Sequence, residues 1–482
     1  MDRASEGRPD KRTPAGWHQY WQSEMEAAKD RLDTFYKRGN AVTRRFIDQR
    51  TEAPERRNHH VSLNLFHTNV KTICSMLYGQ TPQIDVSREH QDPDDDVARV
   101  ASNIFQRMLE ADIRESGEDL STVLKTCLQD RLLPGFGLAR VRYTMSTTQV
   151  NDMLTGGTRE VMFEDAPIDY VHWQDCRWGW CRTWKEMPWM GFRAYLTRSE
   201  VEKRFSEKVA ENLQYKNQLP GGSDKEDEQQ EKDQQNNVQQ AEIWEIWCKS
   251  EKKVFWWSEG ANTILDVKPD PLKLDGFWPC PKPMMANVTS SAMVPTADFT
   301  IAQDLYNTID ELYARITIIT RAIKVVGVYD KGAGDSVGRM LTEGEENDLI
   351  PVDNWAMFAE KGGLKGSIDW FPVETVVGTL ATLRQVLGET VELLYQVTGM
   401  SDILRGANTD QYTSDGTNQL KAKFGSIRIQ ALQDEFARFA SDLEAIKAEV
   451  IAKHYSAQSI GQQGGVQFLP MADQQYIQSA VQ

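Results

Sequence analysis

The most regular feature of the sequence is an apolar seam near its end. Apolar residues recur there at alternating steps of three and four, the spacing of one face of an α-helix. The pattern predicts one helix over residues 413–455, which would be about 60 Å long. Because globular helices average about three turns, this helix needs an extended partner surface. The seam consists of Ile429, Leu432, Phe436, Phe439, Leu443, Ile446 and Val450.

Two further seams with heptad-like spacing precede the long helix. They predict helices over residues 296–323 and 373–398, and a glycine-rich insert, 324–372, separates them. We infer that three long helices in this order pack against other copies of the chain. The seams are Leu305, Ile309, Leu312, Ile316, Ile319 and Ile323, then Val376, Leu380, Leu383, Leu387, Val391 and Leu394. Strand signals in the insert lie at 325–329, 349–352 and 368–371.

The N-terminal part of the chain changes from helical to strand patterning after residue 135. An amphipathic stripe from Trp17 to Phe35 begins the helical part, and strict alternation over 139–145 begins the strands. Residues 218–240 carry almost no apolar side chains and are predicted to form a disordered surface loop. Further helices are predicted at 65–78, from Asp92-Pro93, at 120–133 and at 197–212, and further strands at 161–171 and 243–267, with a hairpin turn at 251–253.

Composition limits the class of protein. The 482 residues suggest two to four domains, and the formal charge is −16. This acidic balance argues against a tight grip on a nucleic-acid backbone and allows only weak, sliding contact. No apolar run is long enough for a transmembrane helix, and no secretory signal is present, so no membrane partner is expected. The six cysteines form no CxxC pair, which favours a reducing compartment.

Candidate catalytic chemistry is weak throughout the sequence. No GxxxxGK[ST] phosphate-binding loop occurs. The acidic residues Asp94, Asp95 and Asp96 are better explained as the start of a helix than as metal ligands, because adjacent helical positions point about 100° apart. No Ser/His/Asp or Cys/His arrangement stands out. The sequence therefore predicts no enzyme, no catalytic residues, no metal site and no cofactor.

The polar, glycine-punctuated segment 399–416 lies between two of the predicted long helices. Two interpretations remain open from the residues alone. The segment is either a solvated connection between helices or a functional loop held at the end of rigid helices.

The order of these elements resembles the portal protein family of tailed bacteriophages, particularly the short-tailed type. The resemblance covers most of the chain and is clearest over residues 295–455. It rests on shared order rather than on one diagnostic signature. The similar stretches are Asn69–Pro82 (NVKTICSMLYGQTP), Leu132–Tyr143 (LLPGFGLARVRY), Asp304–Asn307 (DLYN), Asp369–Pro372 (DWFP) and Val397–Gly406 (VTGMSDILRG).

The resemblance implies an α+β portal fold that assembles into a ring. Its parts would be a wing with a helical first half and a β-rich middle, a two-helix stem, a small α/β clip, a tunnel loop and a long helix behind the loop. The wing would span residues 1–295, the stem 296–323 and 373–398, the clip 324–372, the tunnel loop 399–416 and the long helix 417–455, and residues 456–482 would be a tail or the start of a short crown.

The implied function is a ring-shaped channel at one capsid vertex of the virion, assembled in the host cytoplasm, for DNA packaging and ejection. The implied partners are eleven further copies of the chain, the major capsid protein, the terminase large subunit, the tail adaptor and non-specific double-stranded DNA in transit. Tunnel-loop residues facing DNA would be Asn408, Thr409, Gln411 and Tyr412, with Lys421 nearby. Clip residues docking partners would be Asp330, Lys331, Arg339, Glu343, Glu345, Glu346 and Lys361.

Two other classes of protein remain as alternatives. A structural or scaffold assembly protein without a channel would account for the helical seams but leaves the β-rich middle unexplained. A packaging-motor enzyme would require a phosphate-binding loop, which the sequence lacks.

Overall fold

A computed structural model describes most of the chain, and its fold is mixed α+β, as predicted. Two compact units are present. The first combines Met1–Gln49, His67–Ile301 and Ser414–Gln482, and the second combines Arg50–Phe66 and Ala302–Thr413. The described residues are 13–48, 63–79, 83–88, 95–115, 120–151, 158–217, 239–322, 327–329, 360, 368–370, 373–399, 415–469, 471 and 473–474.

The first helix, α1 (Pro14–Phe46), begins where the sequence supplies a strong start signal. The Thr13 hydroxyl accepts a hydrogen bond from the Gly16 amide at 3.0 Å, and Pro14 occupies the first helical position, where no amide donor is needed. The predicted stripe is the buried face, with Trp21 and Leu32 fully inaccessible. The helices that follow are α2 (Leu65–Leu77), α3 (Asp96–Glu115), α4 (Leu120–Leu132), α5 (Arg198–Arg204) and α6 (Glu207–Asn212).

A large antiparallel sheet forms the centre of the first unit. Its strands run in the order β10–β9–β8–β6–β5, and β7 pairs with the N-terminal end of β8. One face packs against α1, where Trp21 and Met25 contact a core that includes Trp244 and Phe255. Five of the residues in this core are aromatic: Trp21, Trp189, Trp244, Phe255 and Trp257. The strands are β5 (Cys176–Trp178), β6 (Trp189–Thr197), β7 (Lys216–Asn217), β8 (Gln239–Cys248), β9 (Lys253–Trp257) and β10 (Asp266–Pro269).

Two smaller antiparallel sheets lie in the same unit. Strand β1 pairs with β4 on one side and with β11 on the other, and β2 and β3 form a separate hairpin. Gly137 in β1 lies so close to α4 that an added Cβ would fall 2.1 Å from the Cys127 carbonyl oxygen. These strands are β1 (Phe136–Val141), β2 (Thr144–Asn151), β3 (Thr158–Asp165), β4 (Ile168–Val171) and β11 (Met284–Met285).

The second unit contains two long helices joined through a small ladder. Helix α7 (Phe299–Ala322), most of which belongs to this unit, is followed by β12 (Gly327–Tyr329). Strand β13 (Ile368–Trp370) pairs with β12 in antiparallel register and leads directly into α8 (Val373–Thr398). Two of the three predicted strand signals in the insert are therefore confirmed, and the signal at 349–352 lies outside the described residues.

The predicted long helix is confirmed as α9 (Asp415–His454), which contains 40 residues. Within its described side chains, Phe439, Leu443 and Val450 of the seam are fully buried. A short helix, α10 (Ala457–Gln463), follows after Ser456, whose side chain accepts a hydrogen bond from the Ser459 amide. Gly399, at φ 76°, follows the end of α8 in a left-handed conformation that glycine adopts without strain.

Several predicted boundaries are wrong, among them the helix predicted from Asp92, which begins at Asp96, and three others have a cause in the structure. The strand over 139–145 is interrupted because the Arg142 amide donates to the Pro167 carbonyl between β1 and β2. The helix over 197–212 is two helices, since Ser206 is extended and caps α6. The helix predicted from residue 296 begins at Phe299, because the Asn287 side chain binds the Thr296 carbonyl and the Asp298 carboxylate.

The segment 218–240 was predicted to be a disordered loop. Residues 218–238 lie outside the described residues. The last two residues of the prediction, Gln239 and Gln240, belong instead to β8, where they pair with Asn217 and Lys216 of β7.

Candidate functional site

The residues predicted to carry function fall almost entirely outside the described structure. Lys421 lies in the N-terminal part of α9, and only its backbone is described. The tunnel-loop residues Asn408, Thr409, Gln411 and Tyr412 and the clip residues Asp330, Lys331, Arg339, Glu343, Glu345, Glu346 and Lys361 lie outside the described residues. The described structure instead shows how the elements on either side of these segments are held.

An ion-pair cluster around one buried arginine joins three separate parts of the first unit. Arg131, in the last turn of α4, is 7% exposed and pairs with two carboxylates, Asp298 and Glu435. Its Nη1 lies 2.9 Å from Asp298 Oδ2, and its Nε lies 3.0 Å from Glu435 Oε2. We refer to these three residues as the Arg131 cluster.

Each carboxylate in the Arg131 cluster has a second partner. The Met285 amide donates to Glu435 Oε1 at 2.9 Å, and the Asn287 side-chain amide donates to Asp298 Oδ1 at 2.6 Å. Asp298 directly precedes α7, and Glu435 lies in α9. The cluster therefore fixes the starting point of α7 against α4 and α9, all within the first unit.

A second polar cluster holds the C-terminal end of α9. Glu164 in β3 is 3% exposed, and its Oε2 accepts hydrogen bonds from the Ser456 amide and hydroxyl, both at 2.8 Å. Its Oε1 accepts from the Tyr143 hydroxyl at 2.9 Å. Burial raises the pKa of Glu164, but hydrogen bonds from Ser459, Ser456 and Tyr143 outweigh burial and lower the pKa to about 2. We call these four residues the Glu164 cluster.

Further bonds fasten the same end of α9 to the loop after β10. His454 Nε2 lies 2.8 Å from the Leu272 carbonyl oxygen, and Lys453 Nζ lies 2.7 Å from Asp275 Oδ1. Glu449 Oε1 accepts a hydrogen bond from the Asp275 amide at 2.7 Å. Helix α9 is thus held at Glu435 and again at its last turn. These contacts fix the position of the helix that follows the segment 399–414.

Replacing Glu164 with glutamine should destabilise the protein at neutral pH by about 2 kcal/mol, because hydrogen bonds to a buried charged group are lost. A carboxyl whose folded pKa is depressed stabilises the fold above its unfolded pKa of about 4.3, and that contribution disappears as pH falls towards the folded value of about 2. Chemical unfolding of both proteins between pH 7 and pH 2.5 measures the difference.

The matched control is Glu211→Gln, which changes an exposed carboxylate on α6. This variant should unfold like the parent protein at every pH. A Glu164→Gln destabilisation that stays constant down to pH 2.5 would contradict the assigned role of the carboxylate charge.

The described residues contain little that points to catalysis. No group of three or more His, Cys, Asp or Glu side chains is placed to hold a metal ion among them. All six cysteines are described and unpaired, and burial raises the pKa of Cys127, Cys176 and Cys280. No described helix is long and apolar enough to cross a membrane.

No protein-family model matches the chain, and no curated protein matches its sequence. The geometry of the chain itself therefore carries the functional argument.

Sequence reasoning did not single out the Arg131 or Glu164 clusters. Arg131 is separated from Asp298 by 167 residues and from Glu435 by 304. The available signal was a charged residue in the last turn of α4, directly before Leu132 and Leu133. Such a residue indicates a buried partner but does not identify it.

Proposed function

We propose that the chain is a portal-type protein, one copy of a ring that forms a DNA channel at a single capsid vertex. The observation that carries the proposal is the helix–insert–helix arrangement of α7, β12, β13 and α8, followed by the 40-residue helix α9. In this proposal α7 and α8 are the stem, and the first unit provides the wing and the long helix.

The β12–β13 ladder supports the assignment of the insert as a clip. It pairs Gly327 with Trp370 and Tyr329 with Ile368, so the chain leaves α7 and returns to α8 at the same place. Both ends of the segment 330–367 are therefore joined to the helices at one place. As a clip, this segment would dock the terminase large subunit and later the tail adaptor through its charged side chains.

Exposed apolar residues on α8 support assembly into a ring. Leu380 and Leu394 of the predicted seam are buried, at 8% and 0% exposure. Val386, Leu393 and Val397 are 39%, 47% and 36% exposed, and at 3.6 residues per turn they lie within about 40° of one another on a different side of the helix. We call these three residues the α8 stripe. An apolar stripe facing water favours a further partner, and a neighbouring copy in a ring would cover it.

The anchoring of α9 supports a role for residues 399–416 as a tunnel loop. The loop would be attached to the N-terminal end of a helix that is fixed at Glu435 and His454. Asn408, Thr409, Gln411 and Tyr412 would face the passing duplex, and Lys421 would make a modest phosphate contact. The charge of −16 per chain would keep contacts with DNA weak, which suits a conduit in which DNA moves in both directions.

Native mass spectrometry of the purified full-length chain tests the assembly. We expect particles whose mass is about twelve times the 55.0 kDa chain mass. Addition of ATP should produce no hydrolysis, because the proposed protein is a passive channel rather than the packaging motor. Particles limited to one or two copies at high protein concentration would favour the alternative of a structural assembly protein without a channel.

A further inference from the structure

A cleft lies on the outer face of the large sheet, opposite the face that packs against α1. Side chains alternate along each strand, so Trp244 and Ile246 of β8 face α1, while Glu245 and Trp247 line the cleft. The end of β1 covers part of this outer face, and the Val141 amide donates to the Pro279 carbonyl oxygen at 2.8 Å. The volume of this open cleft is about 330 Å³.

The lining of the cleft carries more basic than acidic side chains, although the chain as a whole is acidic. Its lining contains four basic side chains and one carboxylate, that of Glu245. We call it the cationic cleft. Its basic residues are Arg140, Arg142, Arg204 and Lys268.

Arg140, in the inner part of the lining, has a guanidinium nitrogen, Nη1, that donates no hydrogen bond. Its guanidinium lies 4.9 Å from the centre of the Phe192 ring, and its side chain is only 14% exposed. Nη1 is 3.5 Å from Glu245 Oε1 but makes no hydrogen bond, whereas the Trp247 indole donates to that oxygen at 2.8 Å. A buried donor without an acceptor is costly, so an anion entering the cleft would gain from satisfying it.

Two cations converge on one indole at the mouth of the cleft. Arg204 lies 5.1 Å and Lys268 lies 5.5 Å from the centre of the Trp256 ring, and both are exposed. Lys268 has Asp266 at 3.8 Å. Arg204 has no carboxylate within ion-pair distance among the described residues. An anion at the mouth of the cleft would therefore be attracted by Arg204 and, in part, by Lys268.

Arg142 contributes less to binding than the other basic residues. Its guanidinium is already engaged by both oxygens of Asp169 through paired hydrogen bonds. The positions available to a ligand are thus the Arg140 guanidinium inside the cleft and the Arg204 and Lys268 groups at its mouth.

We propose that the cationic cleft binds a phosphate group, with Arg140 as the inner donor and Arg204 and Lys268 as the outer ones. The planar guanidinium fork matches phosphate geometry, and an anion suits the basic lining of the cleft. The volume lies at the lower end of small-molecule sites, which fits a pyrophosphate or one nucleotide rather than a duplex. The phosphate belongs either to a free small molecule or to the end of a nucleic-acid strand. This inference does not depend on the portal proposal.

Isothermal titration of the full-length chain with inorganic pyrophosphate at fixed ionic strength tests the proposal. Binding is expected, and Arg204→Gln and Lys268→Gln should each weaken it by about tenfold or more. The matched control is Arg198→Gln, which lies on the same short helix as Arg204 but pairs with Glu202 at 3.0 Å and does not line the cleft. The control should bind like the parent protein.

Two oligonucleotides of one sequence, with a 5′-phosphate or a 5′-hydroxyl, distinguish the sources of the phosphate. Binding of pyrophosphate alone indicates a free small molecule, and a preference for the phosphorylated strand that Arg204→Gln abolishes indicates a strand end. The proposal is overturned if neither probe binds, or if Arg198→Gln weakens binding as much as Arg204→Gln does.

Discussion

Replacing Leu393 with glutamate is expected to dissociate the assembled protein into single chains at micromolar concentration. Leu393 is 47% exposed in the isolated chain and lies at the centre of the α8 stripe. In a ring, the substitution would remove about 0.7–1.5 kcal/mol of stabilisation from the apolar burial at each contact, and it would also bury a carboxylate without a partner there. The association constant for each contact should fall by more than about a hundredfold. Analytical ultracentrifugation of both proteins measures the change.

Ala381→Glu is the matched control for the α8 stripe. It introduces the same charge at an exposed position of α8, about 120° around the helix from Leu393. We expect it to leave the assembly intact, and circular dichroism should show that both variants keep the helical content of the parent. If both variants dissociate equally, or if Leu393→Glu stays assembled, the α8 stripe is not the contact between copies.

Replacing Arg131 with methionine is expected to destabilise the first unit by about 3 kcal/mol. Methionine fills much of the same space but leaves Glu435 and Asp298 without their shared cation, and removal of one partner from a buried pair costs about 3–5 kcal/mol. The lower end of this range of destabilisation applies because the Asp298 side chain is 45% exposed. Urea unfolding at matched protein concentrations measures the effect.

The control for Arg131 is Arg438→Met. Arg438 pairs with Asp442 on the surface of α9 at 2.9 Å, with side-chain exposures of 34% and 48%. Removal of such a pair changes stability by less than about 1 kcal/mol. An Arg131→Met protein that unfolds at the same urea concentration as Arg438→Met would contradict the assigned role of the Arg131 cluster.

The long helices could be predicted from the sequence because the residue patterns that define them lie within each helix or directly beside it. The seam from Ile429 to Val450 repeats every three or four residues, and Gly399 supplies the positive φ that follows the end of α8. These signals need no knowledge of distant residues. The predicted helix at 413–455 accordingly differs from α9 by only one or two residues at its ends.

The polar clusters and the cleft could not be predicted because they depend on long-range packing. Glu164 and Ser456 are 292 residues apart, and nothing in the spacing of either residue identifies the other. The cationic cleft likewise requires the end of β1 to lie over the outer face of the large sheet. The break at Arg142 was missed for the same reason, since its cause is a hydrogen bond to Pro167 rather than a local breaker.

Electron microscopy of the purified full-length protein in end-on view tests most directly whether this chain forms a ring around a channel. We expect rings of about twelve subunits with an axial hole wide enough for duplex DNA. Rods, or single chains that persist at high concentration, would contradict it and would favour a structural assembly protein without a channel.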